Sequence, residues 1–118
     1  MRIEDKRVYR DALRLLQLAE REAQRVQGVR PDIADDLRRS SSSVLLNLRE
    51  GATEFSPREK ARIYRIAQRE SGECAAAFDA LRVLGLAGSA TADSFELARA
   101  IVNQLTGLCK AVLRRTVP

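Results

Sequence analysis

The chain has 118 residues, 31% of them charged and 45% hydrophobic, with a formal net charge of +5. That length fits a single domain, 1–118, whose core can form without metal or disulfide staples. Histidine is absent, which removes Ser–His and Cys–His nucleophiles, His acid–base catalysis and His metal sites, so the expectation is no enzyme, no cofactor and no metal.

Six Gly, three Pro and few aromatics leave a sequence dominated by good helix formers. The first helix is expected over about 4–27. Tyr9, Ala12, Leu13, Leu16, Ala19, Ala23 and Val26 recur at steps of three and four, and Gly28 follows as a stop. A second helix over about 32–51 opens at Pro31-Asp32 and carries Ile33, Leu37, Ser41, Val44, Leu45 and Leu48 on one stripe. Its tract Ser40–Ser43 needs compensation, because serine is a mediocre helix former. Gly51 reads as its stop.

Ser56-Pro57-Arg58-Glu59 is the clearest start signal, a capping box with Pro at the first helical position. The third helix then runs over about 57–84, with Gly85 behind it. Its core stripe is Ile63, Tyr64, Ala67, Ser71, Cys74, Phe78 and Leu81. A fourth, over about 92–115, presents Ala98, Ile101, Leu105, Leu108 and Val112 like a coiled-coil seam. Short connections force antiparallel neighbours, so the expected fold is all-α, an antiparallel up-down-up-down four-helix bundle. The terminal residues 1–3 and 116–118 are expected to fray.

Apolar residues exceed what one bundle core uses. In the fourth helix they spread over roughly 160° of the wheel, Leu97 included. Leu15 and Leu18 fall off the assumed stripe of the first helix, and Leu46 points away from that of the second. These four leucines are candidates for a homo-oligomer interface.

Eighteen of the 21 basic residues are Arg, whose planar fork suits phosphate. Arg58, Arg62, Arg65 and Arg69 are spaced four, three and four, on one stripe opposite the third helix's core. Arg7, Arg10, Arg14, Arg21 and Arg25 share compatible phases on the first. These rows leave two readings open: a surface that tracks the phosphates of RNA or DNA, and the polar faces that any soluble bundle needs. No aromatic residue interleaves with them, so base stacking on single strands is not encoded. Cys74 and Cys109 sit among apolar residues and read as buried free thiols of a reducing cytoplasm. No signal peptide and no transmembrane run is visible. Glu70 and Glu73 lack the further ligands that a metal needs. A helical ribonuclease of the toxin type needs an Arg followed by a His, and no His exists.

Ser43-Val-Leu-Leu-Asn47-Leu-Arg-Glu50-Gly51 resembles the serine–asparagine–glutamate–glycine motif of a bacterial four-helix-bundle family. Ser56 through Ala67, then Ser71-Gly-Glu73-Cys74 and Leu81-Arg-Val-Leu-Gly85-Leu, are similar to the same family's third helix. These are the proteins encoded in 23S ribosomal RNA intervening sequences, similar in turn to the accessory variability proteins of diversity-generating retroelements. The resemblance implies a homopentameric bundle without enzymatic activity. It also implies a basic surface that engages nucleic acid, or a protein partner such as a reverse transcriptase. The motif residues it carries over are Ser43, Asn47, Glu50, Gly51, Ser71 and Glu73. On the residues themselves, Asn47 and Glu50 are expected to bond to neighbouring helices or subunits. Two departures stand out: Arg49 where the family has a small residue, and Glu70, which adds an acid beside the third-helix row.

Overall fold

Strong helix formers between well-placed breaks divide the chain into four α-helices in the computed structural model, which describes residues 2, 3 and 6–114. They are α1 (Arg7–Val26), α2 (Pro31–Ala52), α3 (Pro57–Val83) and α4 (Thr91–Arg114). Short connections turn each helix back along its predecessor. α1 and α3 each pack between α2 and α4, so α1 and α3 occupy opposite corners of the bundle. The result is an antiparallel up-down-up-down bundle of 53 × 22 × 18 Å. No helix among the described residues is long and apolar enough to cross a membrane. Residues 4, 5 and 115, expected to be helical, and residues 1 and 116–118, expected to fray, lie outside the described residues. Ile3, also expected to fray, is instead buried against the core.

The start of α3 follows its sequence signal. Ser56 Oγ accepts a hydrogen bond from the Glu59 N–H at 3.3 Å, while the Glu59 carboxylate turns to Arg62 rather than back to the cap. Its end is a Schellman turn on Gly85, the single described residue with positive φ, at 73°. There the Leu86 N–H donates to Leu81 O at 2.8 Å and the Gly85 N–H to Arg82 O at 3.2 Å.

Gly51 does something else. It is not a stop: α2 continues through it to Ala52. A Cβ at this position would lie 2.5 Å from Cε1 and 2.7 Å from Cδ1 of the buried Tyr64 ring. The missing side chain of Gly51 therefore makes room for the Tyr64 ring of α3 against α2. Gly28 likewise adopts no left-handed conformation; α1 ends two residues earlier, where Val26 O accepts from the N–H groups of Val29 and Arg30.

The α1 seam is displaced from the expected one. Val8, Ala12, Leu15, Ala19, Glu22 and Val26 are buried at steps of four and three, and Leu18 lies beside them. Leu15 is 0% exposed and Leu18 7%, so neither is available to an oligomer interface. Leu13, placed in the core by the sequence pattern, is 45% exposed. Glu22 causes the error, because a carboxylate at a seam position breaks the apolar periodicity. Its charge is accommodated locally. Arg25 Nε donates to it at 2.6 Å, and the Thr91 hydroxyl donates to it while accepting the Gly88 N–H.

Polar bonds tie every seam. Arg38 reaches Glu20 across α1–α2 at 2.8 Å. Arg39 reaches Glu70 and Glu73 across α2–α3 at 3.1 and 2.8 Å. Ser71 donates to Ala98 O across α3–α4 at 2.8 Å, and Gln104 to Asp11 across α4–α1 at 2.8 Å. The serine tract is compensated within its own helix. Ser40 and Ser41 are 0% exposed and donate to Asp36 O and Leu37 O, each at 2.7 Å.

Gly51→Ala tests the close approach. Alanine gains about 1 kcal/mol of helix propensity but forces Tyr64 from its place, an overpacking cost of typically 1–3 kcal/mol. Urea denaturation is expected to show net destabilisation. A variant more stable than the parent would remove Gly51 from this role.

Candidate nucleic-acid interface

The α3 row is where the sequence puts it, on the outward face of the helix. Arg58, Arg62, Arg65 and Arg69 are all exposed. Arg62 is held by Glu59, with Nε–Oε2 at 3.0 Å. Among the described residues no ion pair engages Arg58, Arg65 or Arg69.

The α1 row is also exposed, but several of its members are engaged. Arg7 lies 3.6 Å from Asp11, and Arg14 donates to Gln17 at 3.2 Å. Arg25 is committed to Glu22 and packs against Gly88. Arg10 and Arg21 are exposed, with no ion pair among the described residues. Because α1 and α3 sit on opposite corners, the two rows face away from each other and do not form one surface within a chain.

Beside the α3 row stands a stripe of α4 that sequence reading missed: Arg99, Asn103, Thr106 and Lys110, spaced four, three and four. Its first cation is placed by an aromatic ring, since Arg82 of α3 and Arg99 of α4 both lie against Phe95, at 5.4 and 5.9 Å. Thr106 accepts a hydrogen bond from Gln68 of α3. Two cations separated by two uncharged residues do not register as a row, which is why the pattern went unread.

Of the remaining motif residues, Ser71 and Glu73 take part in helix seams. Asn47 donates to Ser43 O and Ser43 Oγ at 2.8 and 3.0 Å. Within the chain its bonds stay in α2, so the partner expected on a neighbouring helix or subunit is not on one of the other three helices. Glu50 is exposed at the outer edge of α2. Ser71 is fully buried on Ala98 O, and Glu73 is the partner of Arg39. Glu70 joins the same bridge, so Arg39 offsets the acid that interrupts the α3 side. Arg49, the departure from the family pattern, lies over the Tyr9 ring at 5.1 Å. Of the remaining interface candidates, Leu46 is 67% exposed, whereas Leu97 is half-buried against the core.

Neither thiol is poised for chemistry. Burial pushes Cys74 up to about 12, and burial also raises Cys109; both are free and buried. Among the described residues no group of three His, Cys, Asp or Glu side chains could hold a metal. A cleft of about 400 Å³ opens at the α2–α3 end, with Lys6, Arg49, Lys60 and Tyr64 in its walls. Lys60 there donates to Gly51 O at 2.8 Å, closing the end of α2.

Ion pairing also sets the response to acid. The hydrogen bond from Arg39 holds the Glu73 carboxyl below its ordinary value, and the one from Arg38 does the same for Glu20. Arg30 holds Asp32 down to about 2. Carboxyls depressed in the folded state stabilise it above their unfolded values, and that contribution is lost as pH falls through the folded ones. Arg39→Gln is therefore expected to let Glu73 titrate at higher pH by NMR. It should lower stability at pH 7, since Glu70 stays largely buried without its cation. That difference should shrink toward pH 2; an equal loss at both pH values would contradict the assignment.

The family model of the 23S rRNA-intervening sequence protein matches residues 4–108. No curated protein and no solved structure matches the chain.

Proposed function

We propose that this chain, which belongs to the 23S rRNA-intervening sequence protein family, is a non-enzymatic, cytoplasmic binding protein that holds the sugar–phosphate backbone of RNA or DNA. The observation that carries this reading is the exposed α3 row, in which Arg58, Arg65 and Arg69 have no ion-pair partner among the described residues. A guanidinium not already neutralised by a carboxylate is available for phosphate, and its fork geometry suits two oxygens at once. The net charge of +5 adds long-range attraction to a polyanion. A chain without histidine, whose thiols are both buried, offers binding rather than bond-breaking chemistry.

Self-assembly belongs to the same reading, with a homopentamer as the form that the family resemblance implies. Leu46 of α2 supports it as an exposed apolar side chain on an outer face. Light scattering coupled to gel filtration tests it: the parent is expected to elute as an assembly, and Leu46→Glu to reduce its mass. A monomeric parent would remove assembly from the account.

Binding is tested by changing Arg58, Arg62, Arg65 and Arg69 together to Gln. Circular dichroism should show unchanged helicity, because these side chains lie opposite the core. Fluorescence anisotropy with structured RNA and duplex DNA at about 50 mM salt should show weaker binding. Unchanged affinity would exclude the row. No binding by the parent would favour an acidic protein partner, such as a reverse transcriptase.

A further inference from the structure

The α3–α4 face carries two basic tracks side by side over the same length. Arg58, Arg65 and Arg69 form one, with Arg62 between them held by Glu59. Arg99 and Lys110 bound the other. Contacts along the seam fix their alignment. Ser71 meets Ala98 O at 2.8 Å and Gln68 meets Val102 O at 3.1 Å toward one end, and Cys109 meets Ala61 O at 3.7 Å toward the other. Each track spans about 16 Å at the helical rise of 1.5 Å per residue. Packed helix axes stand roughly 8–10 Å apart, between the minor- and major-groove widths of about 6 and 12 Å in duplex DNA.

The α1 corner is different. Its row is a single track, with Arg7, Arg14 and Arg25 engaged by Asp11, Gln17 and Glu22. It borders α2, which has three basic and four acidic residues. On the α3–α4 face no aromatic ring is open for base stacking, since Phe95 is half-buried beneath Arg82 and Arg99. Tyr9, Tyr64 and Phe78 are buried, and the exposed Phe55 precedes α3, beyond the end of the track.

We infer that the α3–α4 face is a two-track binding surface for double-helical nucleic acid, with Arg99 and Lys110 of α4 as binding residues alongside Arg58, Arg65 and Arg69 of α3. This rests on the nucleic-acid reading above and narrows it to one face and to duplex over single strand. The contacts are to phosphates on both sides of a groove, so the surface reads backbone geometry rather than sequence.

Anisotropy titrations of the full chain with a 20-base-pair DNA duplex, an RNA duplex of equal length and the matching single strands test it. Five neutralised phosphates give a slope of about −4.5 in log K against log salt for duplex DNA. That is an affinity loss on the order of 500-fold between 50 and 200 mM. The Arg99→Gln/Lys110→Gln variant should bind the duplex more weakly at 50 mM, and its loss over the same salt range should fall to roughly 40-fold. Arg10→Gln/Arg14→Gln/Arg21→Gln on α1 should leave that salt dependence unchanged and weaken binding less than the α4 variant does, through net charge alone. Tighter binding of single strands than of either duplex would overturn the inference. So would weakening by the α1 variant with none by the α4 variant, although nucleic-acid binding itself would then stand. No binding of any probe at 50 mM would overturn both.

Discussion

Close approach of helices over small side chains is the constraint on which this bundle depends. Gly51 lets α2 reach the Tyr64 ring of α3. Ser40, Ser41, Ala61, Ala67, Ser71 and Ala98 are completely buried and keep their helices near one another. Leu15, Leu37, Leu48, Phe78, Leu81, Ile101 and Leu105 fill the rest of the core. Polar bonds across each seam add selectivity among the possible pairings. Arg38 to Glu20, Arg39 to Glu70 and Glu73, Ser71 to Ala98 O and Gln104 to Asp11 each join one pair of neighbours. Exposed members of such bonds add little stability one by one, but unpairing buried polar groups penalises the wrong neighbour.

The order of helices around the bundle then decides what the surface can do. Arg38 and Arg39 are used in holding α2 to both neighbours, and Arg49 lies over Tyr9. The cations of α2 are consequently used in contacts to α1 and α3. α3 and α4 are joined largely by Ser71, Gln68 and a packed core, with no ion pair between them among the described residues. Their cations are not used in the seam. The motif residues Ser71 and Glu73 sit in the seams, while Arg58, Arg62 and Arg65, within the Ser56–Ala67 stretch that resembles the family, stay exposed outside them.

Much of the fold was legible in the sequence because its signals are local. Ser56-Pro57 opens α3 and Gly85 closes it with the conformation that glycine favours there. The errors arose where a residue's role is set by a partner distant in the chain. Gly51 resembles a helix stop until Tyr64 is known to face it. Glu22 breaks the α1 pattern until Thr91 and Arg25 are known to satisfy it, and that break turned Leu15 and Leu18 outward in the reading. The Arg rows were legible as rows. Their placement on opposite corners was not, since no single-helix periodicity records which helices are neighbours. The α4 stripe was missed because Asn103 and Thr106 separate its cations.

Chemical-shift mapping on isotopically labelled protein, titrated with a short duplex at low salt, tests the division of the surface most directly. The account predicts perturbations along Arg58–Arg69 of α3 and Arg99–Lys110 of α4, with the Arg10–Arg21 segment of α1 unmoved. Perturbations concentrated on α1, or spread evenly over all four helices, would contradict it.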